Sequence, residues 1–287
     1  MTGREARPGN IRIGISSWGS LPGFYPSGVK PADKLPWFAR YFSVVEVNVS
    51  FYRLVAPHTY AHWAEITPSN FVFDVKAFGE LTHFRDPPPG ATFAAFRDSY
   101  QPLRDDGRLG GVLHQFPPRF ANTLTSQEHL RRVAEQMHGD PTVIEFRNHT
   151  WLAPDQAEAT FALLKELGLG YAIADEPQIP NDTVPPLLAV TNPALAYIRL
   201  HGRNADAWYR GGSGGTRYDY DYSATELEEW AAVATDLAAQ ARDVHVLFNN
   251  NAQGAGTRNA LALGELLGIA PLDPPELPPA QPPLFTD

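Results

Sequence analysis

The sequence predicts an α/β protein whose fold is a (β/α)8 TIM barrel in a single domain. Apolar, strand-like segments alternate with helical segments at a mean spacing of roughly 30 to 35 residues, which suits eight βα units. The length of 287 residues leaves room for the roughly 250 that such a barrel requires. The structural alternative is a doubly wound open sheet, but residues 14–19 match its glycine-rich first turn poorly.

Eight strands are predicted from short runs of β-branched and aromatic residues. They are residues 11–16, 43–48, 71–76, 111–116, 142–147, 171–175, 196–201 and 244–249. Helices are predicted at 32–41, 57–66, 92–103, 126–138, 155–168, 224–241 and 258–267. Ser126 and Asp155 are the expected N-caps of two helices, and Gly139 follows the end of one. The proline-rich link after the sixth strand gives the weakest helix signal.

Three segments are predicted along the chain. Residues 1–10 form a flexible N-terminus, residues 11–268 form the barrel, and residues 269–287 form an extended proline-rich tail. The sequence shows no internal repeat beyond the βα unit, so no second domain is required.

Composition excludes several classes of protein. The formal charge of −9 and the pI near 5.5 disfavour general nucleic-acid binding, although a local basic site stays open. Cysteine is absent, which excludes disulfides, thiolate metal ligands and a cysteine nucleophile. No apolar run approaches the roughly 20 residues of a membrane helix, and the N-terminus lacks the apolar core of a signal peptide. We therefore predict a cytoplasmic protein without membrane contact; oligomeric state stays open.

Several motifs along the chain match those of a known family. They are Ser17-Trp18, Phe24-Tyr25-Pro26, Glu46-Val47-Asn48, Ser50-Phe51-Tyr52-Arg53, Phe73-Asp74-Val75-Lys76, Leu81-Thr82-His83, Gln115-Phe116-Pro117-Pro118, Glu145-Phe146-Arg147, Trp151, residues 197–203, residues 218–230, Phe248-Asn249-Asn250 and Asn259-Ala260. Across about residues 11–268 the chain resembles the DUF72, or YecE-like, proteins. The resemblance implies a TIM-barrel fold and no established activity. Ser17 is one departure, since the family usually has glycine there, and the looser turn at residues 254–256 is another.

The segment 197–203 shows how the predicted strands place charge inside the barrel. Ile198 and Leu200 share one face of the strand, whereas Tyr197, Arg199 and His201 share the other. An arginine in a central strand is costly unless it is paired or meets a ligand. Similar residues end other strands, and the expected inward-facing set is Glu46, Asn48, Lys76, Gln115, Glu145, Arg147, Asp175, Arg199, His201 and Asn249.

Two interpretations of these charges are open. In the first, Glu46, Glu145 and Asp175 pair with Lys76, Arg147 and Arg199 in a purely structural network. In the second, the charges serve a ligand, because desolvating so many ions typically costs several kcal/mol each. Barrels of this type bind ligands at the C-terminal ends of their strands, so the second interpretation predicts a site there.

The ligand interpretation predicts an enzyme that acts on a small anionic substrate containing phosphate or sugar. Glu46 or Glu145 is the expected general base, and Lys76 and His201 complete the candidate catalytic set. The candidate substrate-binding residues are Asn48, Tyr52, Gln115, Arg147, Asp175, Arg199, Arg203, Asn249 and Asn250. For Lys76 a Schiff base is an alternative, but a salt bridge to Glu46 or Glu145 is favoured.

Further features of the sequence bear on the ligand. The turn at 249–256 precedes a predicted helix N-terminus and could hold phosphate. The loop aromatics could stack a sugar or base, or seal the mouth; they are Trp18, Tyr25, Tyr52, Trp151, Trp208 and Tyr209. The glycine-rich segment 209–218 is interpreted either as a lid that closes on an anion or as a surface loop.

No cofactor and no tightly bound metal are predicted. The acids and histidines that could ligate Mg, Mn or Zn are Glu46, Glu145, Asp175, Glu176, His83 and His201. The lysine and arginines expected beside them would repel a cation. A metal-dependent phosphodiesterase related to endonuclease IV, or another nucleic-acid-processing protein, and a non-catalytic binding protein remain the alternative functions.

Overall fold

A computed structural model describes residues 9–208, 216–269 and 271, and in it eight parallel strands close into a barrel in chain order. The strands are β1 (Asn10–Ser16), β2 (Val44–Val47), β3 (Val72–Lys76), β4 (Leu109–Gln115), β5 (Thr142–Glu145), β6 (Gly170–Asp175), β7 (Leu195–Leu200) and β8 (Asp243–Phe248). Strand β8 pairs with both β7 and β1, which closes the barrel. The predicted TIM-barrel fold is confirmed, and every strand end lies within two residues of its predicted position.

Helices surround the barrel. They are α1 (Lys34–Phe38), α2 (Val49–Tyr52), α3 (Pro57–Glu65), α4 (Gly90–Ser99), α5 (Gln101–Asp105), α6 (Leu124–Gln136), α7 (Ala157–Glu166), α8 (Ala205–Trp208), α9 (Ala224–Ala238) and α10 (Ala255–Leu266). The helix predicted at 92–103 is divided into α4 and α5, and Pro102 stands in the first turn of the second. The helix predicted at 32–41 is a 3-10 turn followed by the short α1.

Two predicted N-caps are wrong. Thr123 caps α6, because its extended backbone lets its side-chain oxygen accept a hydrogen bond from the Ser126 N–H at 3.2 Å. Ser126 therefore lies inside the first turn. Helix α7 begins at Ala157 after a turn in which Gln156 N–H donates to Ala153 O, so Asp155 precedes the helix without capping it.

The link between β6 and β7 contains no helix at residues 176–194, where the sequence signal was weakest. Side chains organise this link instead. The Val184 N–H donates to Glu176 Oε1 at 2.9 Å, and the Thr183 hydroxyl donates to Pro177 O at 2.6 Å. Helix α10 begins three residues earlier than the predicted 258, because Gly254 takes a positive φ of 76° and turns the chain into the helix.

The strands separate two apolar regions. Their outward side chains pack against the helices in the main core, which contains Val45, Val47, Ile173 and Ile198. Their inward side chains form a second, smaller cluster inside the barrel. It contains Val44, Leu113, Val143, Ala172, Leu195, Tyr197 and Leu247. These apolar side chains fill part of the barrel interior, so the barrel is packed and does not form an open channel.

Parts of two predictions fall outside the described residues. Residues 209–215 of the predicted lid at 209–218 lie there, as do residues 1–8 of the N-terminal segment predicted at 1–10, whose last residue, Asn10, begins β1. Of the predicted tail at 269–287, only residues 269 and 271 are described. Within the described helices, none combines the length and the apolar character needed to cross a membrane.

Candidate active site

Arg199 lies at the centre of a charged layer inside the barrel. Strand alternation directs it inward together with Glu46 of β2 and Glu145 of β5. Its Nε and Nη2 donate to the two oxygens of Glu46 at 2.8 and 2.6 Å, and its Nη1 donates to Glu145 Oε2 at 2.6 Å. All three side chains are at most 1% exposed. The guanidinium therefore bridges two carboxylates across the barrel.

A second arginine extends this layer toward β6. Arg147 donates to Glu145 through Nε and to Glu176 through Nη1, and Glu176 is fully buried. We call Glu46, Glu145, Arg147, Glu176 and Arg199 the buried charged layer. From the sequence, Glu176 was identified only as a possible metal ligand, and it was not predicted to pair with Arg147. Its inward direction was readable from Ala172 and Ala174, whose period of two continues past the strand end.

The buried charged layer fixes the protonation of its neighbours. Burial alone would raise the pKa of Glu145, but the guanidinium groups of Arg147 and Arg199 hold it well below its usual value. Burial, reinforced by Arg147, lowers the pKa of His201 well below its usual value, so this imidazole is neutral.

Nitrogen donors face both ring nitrogens of His201. Arg147 Nη2 lies 2.9 Å from His201 Nε2, and a guanidinium can only donate. Asn249 Nδ2 lies 3.0 Å from His201 Nδ1. His201 is completely buried between these partners. This geometry makes it a neutral acceptor within the network.

Lys76 is the last residue of β3 and lies beside this layer, at the C-terminal mouth of the barrel. Its Nζ donates to Gln115 Oε1 at 3.0 Å and stands 5.0 Å from the centre of the Phe51 ring. The Ser50 hydroxyl donates to the Lys76 carbonyl at 2.6 Å and fixes the end of β3. Burial, followed by the charge of Arg199, lowers the pKa of Lys76 to about 8.

The predicted salt bridge between Lys76 and Glu46 or Glu145 is wrong. Arg199 binds both oxygens of Glu46, and Glu145 lies between Arg199 and Arg147. No described carboxylate lies within ion-pair distance of Lys76 Nζ. The two arginines can each contact two acids, and they bind the carboxylates that were expected to pair with Lys76.

Aromatic and polar side chains surround Lys76. The edge of His83 packs on Phe51 with ring centres 4.9 Å apart, and its Nδ1 lies 2.9 Å from the Thr82 hydroxyl. Burial, followed by the charges of Lys76 and Arg119, lowers the pKa of His83 to about 4. Asn48 directly follows β2 and is half-buried, and its side chain does not cap α2. We call Asn48, Phe51, Lys76, His83 and Gln115 the Lys76 site.

The prediction that Asp175 faces the barrel axis is wrong. It shares the outward face of β6 with Ile173, and its partner on β7 is the outward Leu200. Arg203 Nε donates to both Asp175 oxygens at 3.0 and 2.9 Å, and the Tyr222 hydroxyl donates at 2.6 Å. Asp175 and Arg203 therefore lie in a separate cluster between β6 and the start of α9.

Asn250 also lies away from the Lys76 site. It is fully buried, and its Nδ2 donates to Tyr220 O at 2.9 Å and to Asn259 Oδ1 at 2.8 Å. The predicted phosphate turn presents acceptors at the start of α10. The side-chain oxygens of Asn251 and Asn250 stand 2.5 and 3.1 Å from where a Cβ on Gly256 would lie. These oxygens disfavour an anion there.

Most of the loop aromatics seal the fold. Trp151 is fully buried and stacks on Phe146 with ring centres 4.4 Å apart, and Trp18 packs against the edge of Trp63. The Tyr25 hydroxyl donates to the Trp18 carbonyl, and Trp208 is also buried. Tyr52 differs, since it is 79% exposed beside Phe51. Tyr209 lies outside the described residues.

A buried pair of an acid and a histidine lies deeper in the barrel than the buried charged layer. His245 Nδ1 stands 2.9 Å from Asp74 Oδ2, and the Tyr197 hydroxyl donates to Glu46 Oε2 at 3.2 Å between this pair and the charged layer. His245 is near the start of β8, toward the N-terminal end of the barrel. In the described ranges 9–208 and 216–269, no group of three or more acids and histidines is placed to hold a metal ion.

Comparison with known proteins places this architecture in a family. A family model described as "Protein of unknown function DUF72" matches residues 12–283. The UPF0759 protein YunF of Bacillus subtilis is 35% identical over 268 residues, covering 90% of this chain and 95% of that protein. A DUF72 family protein from Enterococcus faecalis is 28% identical with a TM-score of 0.84, over 94% of this chain and 99% of that one. Another, from Thermotoga maritima, is 28% identical with a TM-score of 0.80, over 90% and 99%. The chain belongs to the DUF72 family.

Proposed function

We propose that the protein is an enzyme that acts on a small anionic substrate, containing phosphate or sugar, bound at the C-terminal mouth of the barrel against Lys76. One observation carries this proposal. Lys76 presents a half-buried ammonium group whose hydrogen-bond partner is the neutral amide of Gln115, while the nearby carboxylates are bound by arginines.

The energetics of Lys76 favour an anionic ligand. A charge that is partly removed from water without a counter-charge is unfavourable, and its lowered pKa reports this cost. A phosphate or carboxylate oxygen on Nζ would supply the missing counter-charge. The ligand would thereby gain a charge-assisted hydrogen bond, which is stronger than a bond between neutral groups.

The rest of the mouth suits a polar ligand with hydroxyl groups. Gln115 ends β4, and Asn48 and Asn249 directly follow β2 and β8. All three are half-buried and carry neutral amides that can donate and accept hydrogen bonds. Tyr52 adds an exposed aromatic face at the rim, of the kind that packs against a sugar ring. This combination supports a sugar phosphate or a related anionic polyol as the substrate.

We assign different roles to the carboxylates and to Lys76. Glu46 and Glu145 are bound by arginine, and the lowered pKa of Glu145 makes it a weak base. They therefore hold the arginines in place. Lys76, with its pKa near neutrality, is the group suited to move a proton at working pH.

A calorimetric titration with inorganic phosphate and a panel of sugar phosphates tests the binding part of this proposal. Lys76→Met should weaken binding by about ten- to a hundredfold, because one charge-assisted hydrogen bond is lost. Lys34→Met is the matched control, since Lys34 Nζ also donates to an uncharged oxygen, Gly19 O, and also stands over a ring, 4.9 Å from the centre of Tyr25. Equal affinity in wild type and Lys76→Met would contradict the proposed site.

Turnover distinguishes an enzyme from a binding protein. Wild-type protein should convert at least one bound member of the panel, followed by ³¹P and ¹H NMR, and Lys76→Met should not. Conversion should survive EDTA, because the described residues contain no metal-ligand cluster. Binding of the panel without conversion of any member would favour a non-catalytic binding protein.

A further inference from the structure

We infer that Lys76 Nζ forms a Schiff base with the aldehyde or ketone group of a small anionic substrate. This inference rests on the proposed function and deepens it, because it names the reactive group of the substrate and the atom that attacks it. Three features of the Lys76 site carry the inference: the absence of an acid partner among the described residues, the aromatic wall and the position at a strand end.

The first feature is the separation of Lys76 from the carboxylates. A lysine held in an ion pair keeps its proton, and a protonated amine has no lone pair with which to attack a carbonyl carbon. Arg199 and Arg147 bind Glu46 and Glu145, so these acids are withheld from Lys76. The buried charged layer thereby places positive guanidinium groups near the amine, and the hydrogen-bond partner of the amine within the described part of the chain is an amide.

The second feature is the surface against which the amine stands. The Phe51 ring forms an apolar wall 5.0 Å from Nζ, and His83 packs edge-on against that ring. Burial against this wall limits the solvation of the ammonium group and favours the neutral amine, and the attraction between the ammonium and the ring face offsets only part of this effect, since the pKa is lowered overall. Gln115 Oε1 can accept one N–H and thereby orient the amine.

The third feature is the rigid attachment of the lysine. The Ser50 hydroxyl donates to the carbonyl of Lys76 and also lies 2.7 Å from that of Val47, which joins the ends of β2 and β3. Strand ends at this face of a TIM barrel are where catalytic residues are placed. The free-amine population agrees with this geometry. With a pKa of about 8, about a quarter of Lys76 is neutral at pH 7.5, against about one in a thousand for an ordinary lysine.

The proposed step balances without another reactant. The neutral amine of Lys76 adds to the carbonyl carbon and gives a carbinolamine, whose oxygen takes up a proton and leaves as water. The overall change converts the ammonium and the carbonyl compound into a protonated imine and one water molecule. The imine draws electrons from the neighbouring carbon, so it would assist removal of a proton or cleavage of a bond there.

Trapping with glyoxylate and sodium cyanoborohydride tests the inference. Glyoxylate is a small anionic aldehyde, and reduction of its imine leaves a stable carboxymethyl group on the lysine. Peptide mass spectrometry can follow each of the four lysines separately, which are Lys30, Lys34, Lys76 and Lys165. Lys30 and Lys165 are exposed, so access alone would favour their labelling over that of the half-buried Lys76.

We expect Lys76 to be labelled at least about tenfold faster than Lys165 at pH 7.5, because its amine is far more often neutral. The rate at Lys76 should rise with pH and level off above about 8, and phosphate should slow it. Lys76→Arg keeps the charge but cannot form an imine, and it should leave the labelling of the other three lysines unchanged. Circular dichroism would show whether this variant is folded.

Labelling of Lys76 no faster than that of Lys165 would overturn the Schiff-base inference. The proposed function would stand in that case if phosphate binding still depended on Lys76. Phosphate binding that is indifferent to Lys76→Met would overturn the proposed site instead, even if Lys76 were labelled rapidly. The two proposals therefore fail through different measurements.

Discussion

Two sets of charged groups inside the barrel are partnered in opposite ways. In the buried charged layer every carboxylate contacts a guanidinium, and Arg199 alone makes three hydrogen bonds to acids. At the end of β3, Lys76 contacts an amide and a ring. The comparison shows that buried charge by itself does not indicate function, because the layer is electrostatically satisfied. Lys76, which has no carboxylate within ion-pair distance among the described residues, is the better functional candidate.

The strongest test of this comparison is removal of the central arginine. Arg199→Met should lower the free energy of unfolding by about 3 to 5 kcal/mol, since it leaves buried carboxylates without their main counter-charge. Urea denaturation would measure the loss. The matched control is Arg131→Met, which breaks the pair with Glu166, whose side chains are 49% and 61% exposed. That change should cost at most about 1 kcal/mol.

A second variant separates lost pairing from lost packing in this layer. Adding Glu46→Gln to Arg199→Met removes one of the uncompensated charges, so part of the lost stability should return. If Arg199→Met alone were no less stable than the Arg131→Met control, the carboxylates of the buried charged layer would not depend on Arg199 for their stability.

The pH dependence of the free energy of unfolding should reveal the desolvation of Lys76. Its pKa is lowered from 10.5 to about 8 in the folded protein, so between these pH values the unfolded chain binds more protons. Stability contributed by this group therefore rises with pH from about 8 to about 10.5. Wild type should gain stability relative to Lys76→Met over that window in urea denaturation series. A difference that stays constant with pH would show that Lys76 is not desolvated.

The smallest expected effect concerns the backbone at the mouth. Ser17 follows β1 with a φ of 92°, a conformation that favours glycine. Ser17→Gly should stabilise the fold by roughly 0.5 to 1 kcal/mol by relieving this strain. Ser17→Ala keeps the Cβ and should bring no gain. Equal unfolding midpoints for the two variants would remove the evidence for strain at this position. The other described non-glycine residues with positive φ, Asn181 and Gln253, follow β6 and β8.

The fold was predictable because strand alternation is a strong local signal. Ile198 and Leu200 against Arg199 identified the faces of β7, and similar patterns located the other strands. Helix starts were harder. Thr123 and Ser126 are both good N-caps, and the choice between them depends on the backbone conformation before the helix, which composition does not reveal.

The site was only partly predictable, because pairing depends on which groups meet in space. The inward direction of Glu46, Glu145 and Arg199 followed from periodicity. The direction of Asp175 was predicted wrongly although a signal was present: the large residues Tyr171 and Ile173, which pack against the helices, share its side of β6. Whether Lys76 or the two arginines bind Glu46 and Glu145 depends on where these groups lie in space, and the sequence does not reveal that.

The most direct test of the central claim is a titration of the lysine side chains by NMR. Protein with ¹³Cε-labelled lysine should give four signals, and Lys76→Arg identifies the one that disappears. The Lys76 signal should titrate near pH 8, and saturating inorganic phosphate should raise that midpoint by roughly one unit, because a bound anion favours the charged amine. A Lys76 midpoint near 10.5 that phosphate does not move would contradict the account.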